Sequence, residues 1–241
     1  TAIFSAFHMF GIVSVCKNTI LIIQIMLLIF VGPLYEIVGN TSSHSDDGSS
    51  PQILLLHPFV FFGRTHSQIY VNHNGHLTFE APWSSYIPQR FPMNGTRDII
   101  AAFWTDLNNA VNGDIYYAQF TSGHLLQQVT QDINEYFPQL EFSAKWIFIA
   151  TWYEINSILT TDGKFSFLLM NYGYLDPTSS PVQAGYDTIS STEYFILPGS
   201  FSSNASGSNS VFSHNSNVNE PGRWVFRVDQ SPSGKTRVGD L

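Results

Sequence analysis

Positive charge and cysteine are both scarce in this chain. Lys and Arg total 10 against 18 Asp and Glu, and charged residues make up only 12% of the 241. No Lys/Arg cluster is present, and a nucleic-acid partner would need such a basic footprint. The one thiol is Cys16, so no disulfide framework and no cysteine-based catalytic site is expected downstream of it. Also missing are the Gly-x-Ser-x-Gly elbow, the His-Glu-x-x-His helix and the glycine loops that cradle phosphates. There is no internal repeat and no Arg-Gly-Asp tripeptide. No pair of Asp or Glu falls on a shared face. These absences leave an enzyme little to be built from, and no catalytic residue and no cofactor is assigned.

What the chain has is apolar and aromatic. Hydrophobic residues make up 44% and aromatics 15%, with 20 Phe and 11 Tyr. That is too apolar for a disordered chain, and Phe and Tyr favour strands. The length suffices for one sizeable domain whose core needs no disulfide.

The N-terminal stretch "CKNTILIIQIMLLIFVGPLYE" carries one basic residue, Lys17, then an apolar run from Ile20 to Val31 broken only by Gln24. The run is short for a membrane span and suits a signal peptide, with a signal anchor and a packed core helix as alternatives. Residues 1–32 are therefore expected to be a signal peptide or signal anchor, and an uncleaved segment would tether the chain to a membrane. Removal would take Lys17 and Cys16 with it, leaving 18 acidic against nine basic side chains. Asn-x-Ser/Thr sequons at Asn40, Asn94 and Asn204 agree with a secretory route and are the expected glycosylation sites. Residues 33–52, with the polar "GNTSSHSDDGSSP", read as a linker. The folded domain is expected over 53–229, followed by a disordered tail, 230–241.

Within 53–229 most segments read as strands. "DIIAAFWTD" (Asp98 to Asp106) is apolar on both faces, as a central strand is. "LEFSAKWIFIATWYE" alternates, with Phe142, Ala144, Trp146, Phe148, Ala150 and Trp152 on one face. "GDIYYAQF", "KFSFLLMNY", "EYFILP" and "RWVFRVD" complete the set, the last setting Trp224, Phe226 and Val228 against Arg223, Arg227 and Asp229. One segment departs from this period. Leu126, Val129, Ile133 and Phe137 recur at three- and four-residue steps, predicting an amphipathic helix over about 125–137 that Pro138 closes. The fold class expected is mainly β: an antiparallel sandwich-like domain with this helix packed on it.

"SQIYVNHNGHLTFE" (Ser67 to Glu80) contains an Asn-Gly hairpin signal. A two-residue loop would oppose apolar and polar side chains. A three-residue loop, His73 to Gly75, pairs Val71 with Leu77 and keeps the apolar face together, with Gly75 left-handed. His73 is then expected at the loop tip and His76 facing solvent, so that the histidines form no metal site.

The loop "TDLNNAVNGD" offers oxygens from Asp106, Asn108, Asn109, Asn112 and Asp114. It is a weak calcium candidate, because the spacing misses the EF-hand pattern and these residues are ordinary turn formers. Trp83 and Tyr86 lie in the irregular "EAPWSSYIPQRFP" and are a weak candidate contact surface, since loops carry recognition. The other tryptophans are expected in the core.

The strings "YVNHNGHLTF", "RDIIAAFWTDL", "GDIYYAQF", "IFIATWYEI", "TTDGKFSFLLMNYG", "QAGY", "YFILPGS" and "SNVNEPGRWVFRVD", in this order, resemble the nidogen-like extracellular (NIDO) domain. The likeness spans about Phe59 to Asp229 and is most similar to the form in tectorin-like and sushi-nidogen-EGF-like proteins. It implies a secreted or membrane-anchored extracellular module, non-catalytic and associated with cell–matrix adhesion, with extracellular-matrix or cell-surface proteins as partners. The segment between the Thr-Trp strand and the "TDG" turn is shorter than the family usually has, which implies either a lost strand, with exposed sheet edges, or an exon missing from the encoded sequence. Two alternatives from the residues are a ligand- or carbohydrate-binding β-sandwich using Trp83, and a hydrolase, which would need convergent carboxylates in a pocket.

Overall fold

The alternation from Trp146 to Trp152 sets the layering. Trp146, Phe148, Ala150 and Trp152 belong to the main core, while Ile147 and Ile149 join a second apolar cluster on the opposite face. A strand buried on both faces must lie inside a layered structure, and this one does. The structure is a computed structural model, and its described residues are 33–230. The expected signal or anchor segment and the tail lie outside them.

In chain order the strands are β1 (Asn40–Thr41), β2 (Ile53–Phe61), β3 (Arg64–Asn72), β4 (His76–Thr78), β5 (Ile99–Trp104), β6 (Ile115–Phe120), β7 (Trp146–Trp152), β8 (Ile155–Thr161), β9 (Ser166–Tyr172), β10 (Gln183–Asp187), β11 (Tyr194–Ile196) and β12 (Arg223–Arg227). Helix α1 (His124–Tyr136) follows β6, and a single turn, α2 (Val211–His214), precedes β12. Two six-stranded sheets result, ordered β1-β6-β7-β8-β9-β12 and β11-β10-β5-β4-β3-β2. Every strand pairing is antiparallel. The expected mainly β sandwich with one packed helix is the observed architecture. No helix among the described residues is long and apolar enough to cross a membrane.

Between the sheets lies the main core, built from Phe59, Phe61, Trp146, Phe148, Met170, Trp224 and Phe226 among others. Trp224, Phe226 and Val228 all enter it, as their alternation predicts. Helix α1 lies over the outer face of the first sheet and buries Leu125, Val129 and Ile133. The expected stripe began at Leu126, but Leu126 is only partly buried and flanks the contact. The helix closes where Phe137 N–H donates to the Ile133 carbonyl, 2.8 Å away, just before Pro138. A third, smaller cluster on the outer face of the second sheet holds Phe91, Ile99, Ala101 and Trp104.

Three expectations are corrected. The segment read as shortened by a lost strand contains one: β8 pairs with β7 and β9 through seven residues on each side and is buried throughout. No edge is exposed there. Residues read as linker are part of the packed body: β1 pairs with β6, Ser42 N–H donates to the Ile115 carbonyl at 2.7 Å, and Ser50 N–H to the Val71 carbonyl at 2.8 Å. Arg223, expected on an outer face, is buried beneath α1. Its guanidinium reaches Asp132 at 3.0 Å, Tyr136 Oη at 3.1 Å, Asn171 Oδ1 at 2.9 Å and the Pro33 carbonyl at 2.8 Å. Tyr35 Oη also donates to Asp132. This polar knot fastens the helix and residues 33–35 to the sheet.

Edge strand β2 is handled by one side chain. Gln119, from β6 of the facing sheet, accepts from Leu56 N–H at 2.9 Å, donates to the Leu54 carbonyl at 3.0 Å, and accepts from Trp146 Nε1 at 2.9 Å. Leu54 and Leu56 themselves stay exposed.

Candidate functional site

The "VNHNG" hairpin forms as its sequence predicts. Tyr70, Val71 and Asn72 face Thr78, Leu77 and His76, and Gly75 has φ 82°. A Cβ on Gly75 would sit 2.1 Å from the Phe103 carbonyl oxygen, so only glycine fits. The histidines, however, are not solvent-facing: His73 and His76 are both fully buried. The segment misread as linker covers His73, and Trp83 and Trp104 cover His76. His73 Nδ1 lies 3.0 Å from the Ser45 carbonyl, which can only accept, so Nε2 is the acceptor for Ser42 Oγ at 2.8 Å. Asn72 accepts from Ser49 Oγ at 2.8 Å, and Asn74 donates to Asp47 at 2.9 Å. His76 Nε2 reaches the Trp83 carbonyl at 3.0 Å. Burial is the main influence on His76 and lowers its pKa to about 4, against the pull of the Asn74 and Trp83 carbonyls. The two rings serve different loops and do not converge.

Beside this hub a cleft of about 260 Å³ opens at one end of the sandwich, where the sheets part. Phe103 on β5, Trp152 and Ile155 flanking the β7–β8 turn, and Leu175 supply apolar walls, and the loop from Leu107 to Asp114 supplies one side. A bulge between β5 and β10 positions Phe103: Gln183 faces Trp104 while Gly185 faces Ala101, so one residue on β5 is extra. The alternation slips there, and Phe103 joins Ala102 in the main core. Thr105 also lines the cleft; its hydroxyl is buried and has no hydrogen-bond partner.

The β7–β8 turn has only two residues, Tyr153 and Glu154, between the paired Trp152 and Ile155. Tyr153 takes φ 50°, a left-handed conformation costly for a bulky side chain, and the residue is 65% exposed. Glu154 lies over Gly173, where a Cβ would come within 2.2 Å of the carboxylate. Burial raises the Glu154 pKa first, and the nearby Asp176 carboxylate raises it further. An acidic mouth over apolar walls suits a cation joined to an apolar group. Among the described residues neither Glu154 nor Asp176 has a cationic partner within 4.0 Å.

The weak calcium candidates are spread over separate tasks. Asn108 Oδ1 accepts from Ala110 N–H at 3.0 Å, and Asn109 bridges to Ser43 and Ser45. Asp114 meets His44 at 2.9 Å and Tyr116 Oη at 3.2 Å. Asn112 and Asp114 line the cleft, whereas Asp106 gathers with Asp46 and Asp47 on the exposed surface. A different group, His66, Glu80 and Asp98, has ligand-like spacing. Arg64 Nε already lies 3.2 Å from Asp98 Oδ2, beside His66 Nε2 at 3.1 Å, and takes the place a cation would need.

Trp83 is committed to packing: it meets His76 edge-on and Trp104 at 4.8 Å, and the Arg97 guanidinium covers one face at 4.1 Å. Tyr86 and its neighbour Ile87 are exposed. Asn40, Asn94 and Asn204 are all exposed, on β1 and two loops. The cleft itself was missed in the sequence, where Tyr153, Glu154 and Asp176 are single residues in separate turns; "WYE" between two apolar runs was the available signal.

The family description of the nidogen-like domain matches residues 67–230. The chain is 35% identical to alpha-tectorin of Mus musculus over 213 residues, covering 76% of this chain and 10% of that protein. It is 27% identical to dendrite extension defective protein 1 of Caenorhabditis elegans, over 86% of this chain and 19% of that one. Against nidogen of Drosophila melanogaster the identity is 24%, over 76% and 15%. The chain thus spans about a tenth of the length of the alpha-tectorins it matches. No solved structure matches it.

Proposed function

The chain belongs to the nidogen-like domain family, and from that premise we propose that it is an extracellular, non-catalytic adhesion module that links cells and matrix through protein–protein contact. The observation that carries this reading is the family match over residues 67–230, from within β3 to just past β12. The surface agrees with a contact role. Exposed Tyr153 stands on the lining of the cleft, where no nucleophile, base and orienting group are gathered among the described residues. His73 reaches the lining, but both its ring nitrogens are engaged by Ser42 and Ser45.

Residues 1–32 direct the chain to the secretory route, and Asn40, Asn94 and Asn204 carry N-linked glycans in this reading. Mass spectrometry of the secreted product, with and without deglycosylation, tests both. An N-terminus near Pro33 and glycan mass on the three sequons are expected; an intact, unglycosylated cytosolic chain would overturn the compartment. For adhesion, the purified chain coated on plastic is expected to retain cells or matrix proteins above an albumin control. Retention no better than albumin would defeat the reading.

A further inference from the structure

The cleft joins features that a merely filled end of a sandwich lacks. Its walls are apolar and come from both sheets, through Phe103, Trp152, Ile155 and Leu175. Its rim holds Tyr153 in a left-handed backbone conformation, with the ring exposed rather than packed. Strain of this kind is removed by glycine unless the side chain is used. Glu154 and Asp176 add two carboxylates at the mouth, and no Lys or Arg appears among the lining residues. At about 260 Å³ the cleft falls just below the ~300–1,000 Å³ of common small-molecule sites, so it suits one or two protein side chains.

We propose that this cleft is a docking site for a basic segment of a partner protein, which inserts an apolar side chain between the sheets and sets flanking Lys or Arg against Glu154 and Asp176. The inference rests on the contact-module reading and specifies its partner's chemistry. Charge complementarity decides between occupants. An acidic segment would bring further negative charge to an acidic mouth on a chain of net charge −8. An uncharged one would leave the two carboxylates without counter-charge. Tyr153, on the lining and exposed, offers an aromatic face on which an arginine plane can rest.

Three five-residue peptides test this with the full secreted chain, followed by two-dimensional NMR: Gly-Arg-Phe-Arg-Gly, Gly-Glu-Phe-Glu-Gly and Gly-Arg-Gly-Arg-Gly. The first is expected to bind with a Kd on the order of 1 mM or tighter and to shift the Trp152 and Ile155 signals. The other two should bind about tenfold more weakly, since one repels and the other fills nothing. The double variant Glu154→Gln/Asp176→Asn should lose about tenfold for the first peptide and flatten its salt dependence, with its melting curve unchanged. Tyr153→Gly gives a check independent of charge: its melting temperature should hold or rise while peptide binding weakens about threefold. Equal binding of all three peptides, no binding of the first at 5 mM (about five times the expected Kd), or indifference to the double variant would each overturn the proposal. A chain that still holds matrix proteins after Glu154→Gln/Asp176→Asn, undiminished, refutes the cleft and leaves the module reading standing. An unaltered chain that holds no matrix protein removes the contact-module reading and the docking proposal with it.

Discussion

Thr105 is 1% exposed, and its buried hydroxyl has no hydrogen-bond partner. Burying an unpaired hydroxyl costs free energy, and valine matches threonine in shape. Thr105→Val is therefore expected to stabilise the chain by about 1 kcal/mol, read as a higher urea midpoint at unchanged m. His76 behaves in the opposite sense with acid. Its ring is neutral when folded down to about pH 4, whereas in the unfolded chain it protonates near the ordinary 6.5. Below 6.5 the unfolded state binds the extra proton. Stability from this group is thus complete above 6.5 and falls as pH drops toward 4. Between pH 6.5 and 5 the loss should be about 2 kcal/mol, at 1.36 kcal/mol per unit. His76→Gln should remove most of that slope in denaturation measured at both pH values; an unchanged slope would place the titrating group elsewhere.

Among the elements, α1 depends on a polar contact as well as on its apolar stripe. Arg223→Met would leave Asp132 and Tyr35 facing each other without the guanidinium that now lies 3.0 Å from Asp132. The expected cost is about 3 kcal/mol, with faster hydrogen exchange in α1 and residues 33–35 than in β7 or β8. Sequence and structure diverge most clearly at this scale. The β3–β4 register was legible because only one loop length keeps Val71 and Leu77 on the same face. The phase of β7 and β12 was legible because large apolar residues alternate there. β8 was not, because "INSILTT" puts Asn156, Ser157, Thr160 and Thr161 inside a buried strand. Partners on the two neighbouring strands satisfy two of them, and the following turn a third: Asn171 donates to Asn156 at 3.0 Å, Thr160 donates to the Trp146 carbonyl at 2.9 Å, and Thr161 donates to the Phe165 carbonyl. A one-dimensional pattern reads such residues as solvent-facing. The cleft was illegible for a related reason, since its lining runs from His73 to Thr178 and only the sandwich brings it together.

For the molecule as a whole, residues 33–52 decide where the domain begins. They were read as a linker because serine and aspartate look solvated, yet those side chains are the partners of Asn72, His73 and Asn74. A chain started at Ile53 would uncover these groups and the apolar surface around them to water, and would lose β1 and the Tyr35 contact. Such a truncation is expected to lose cooperative unfolding and to bind an apolar dye, whereas a chain started at Pro33 should melt in one sharp transition. A cooperative melt from the Ile53 chain would show that the first twenty described residues are dispensable.

The amide of Gln119 has a consequence reaching past the single chain. By occupying Leu56 N–H and the Leu54 carbonyl, it takes from an incoming strand the two backbone groups it would pair with where Leu54 and Leu56 lie bare. Two copies that meet at this border can then press these leucines together without joining their sheets there, so that close neighbours stay separable.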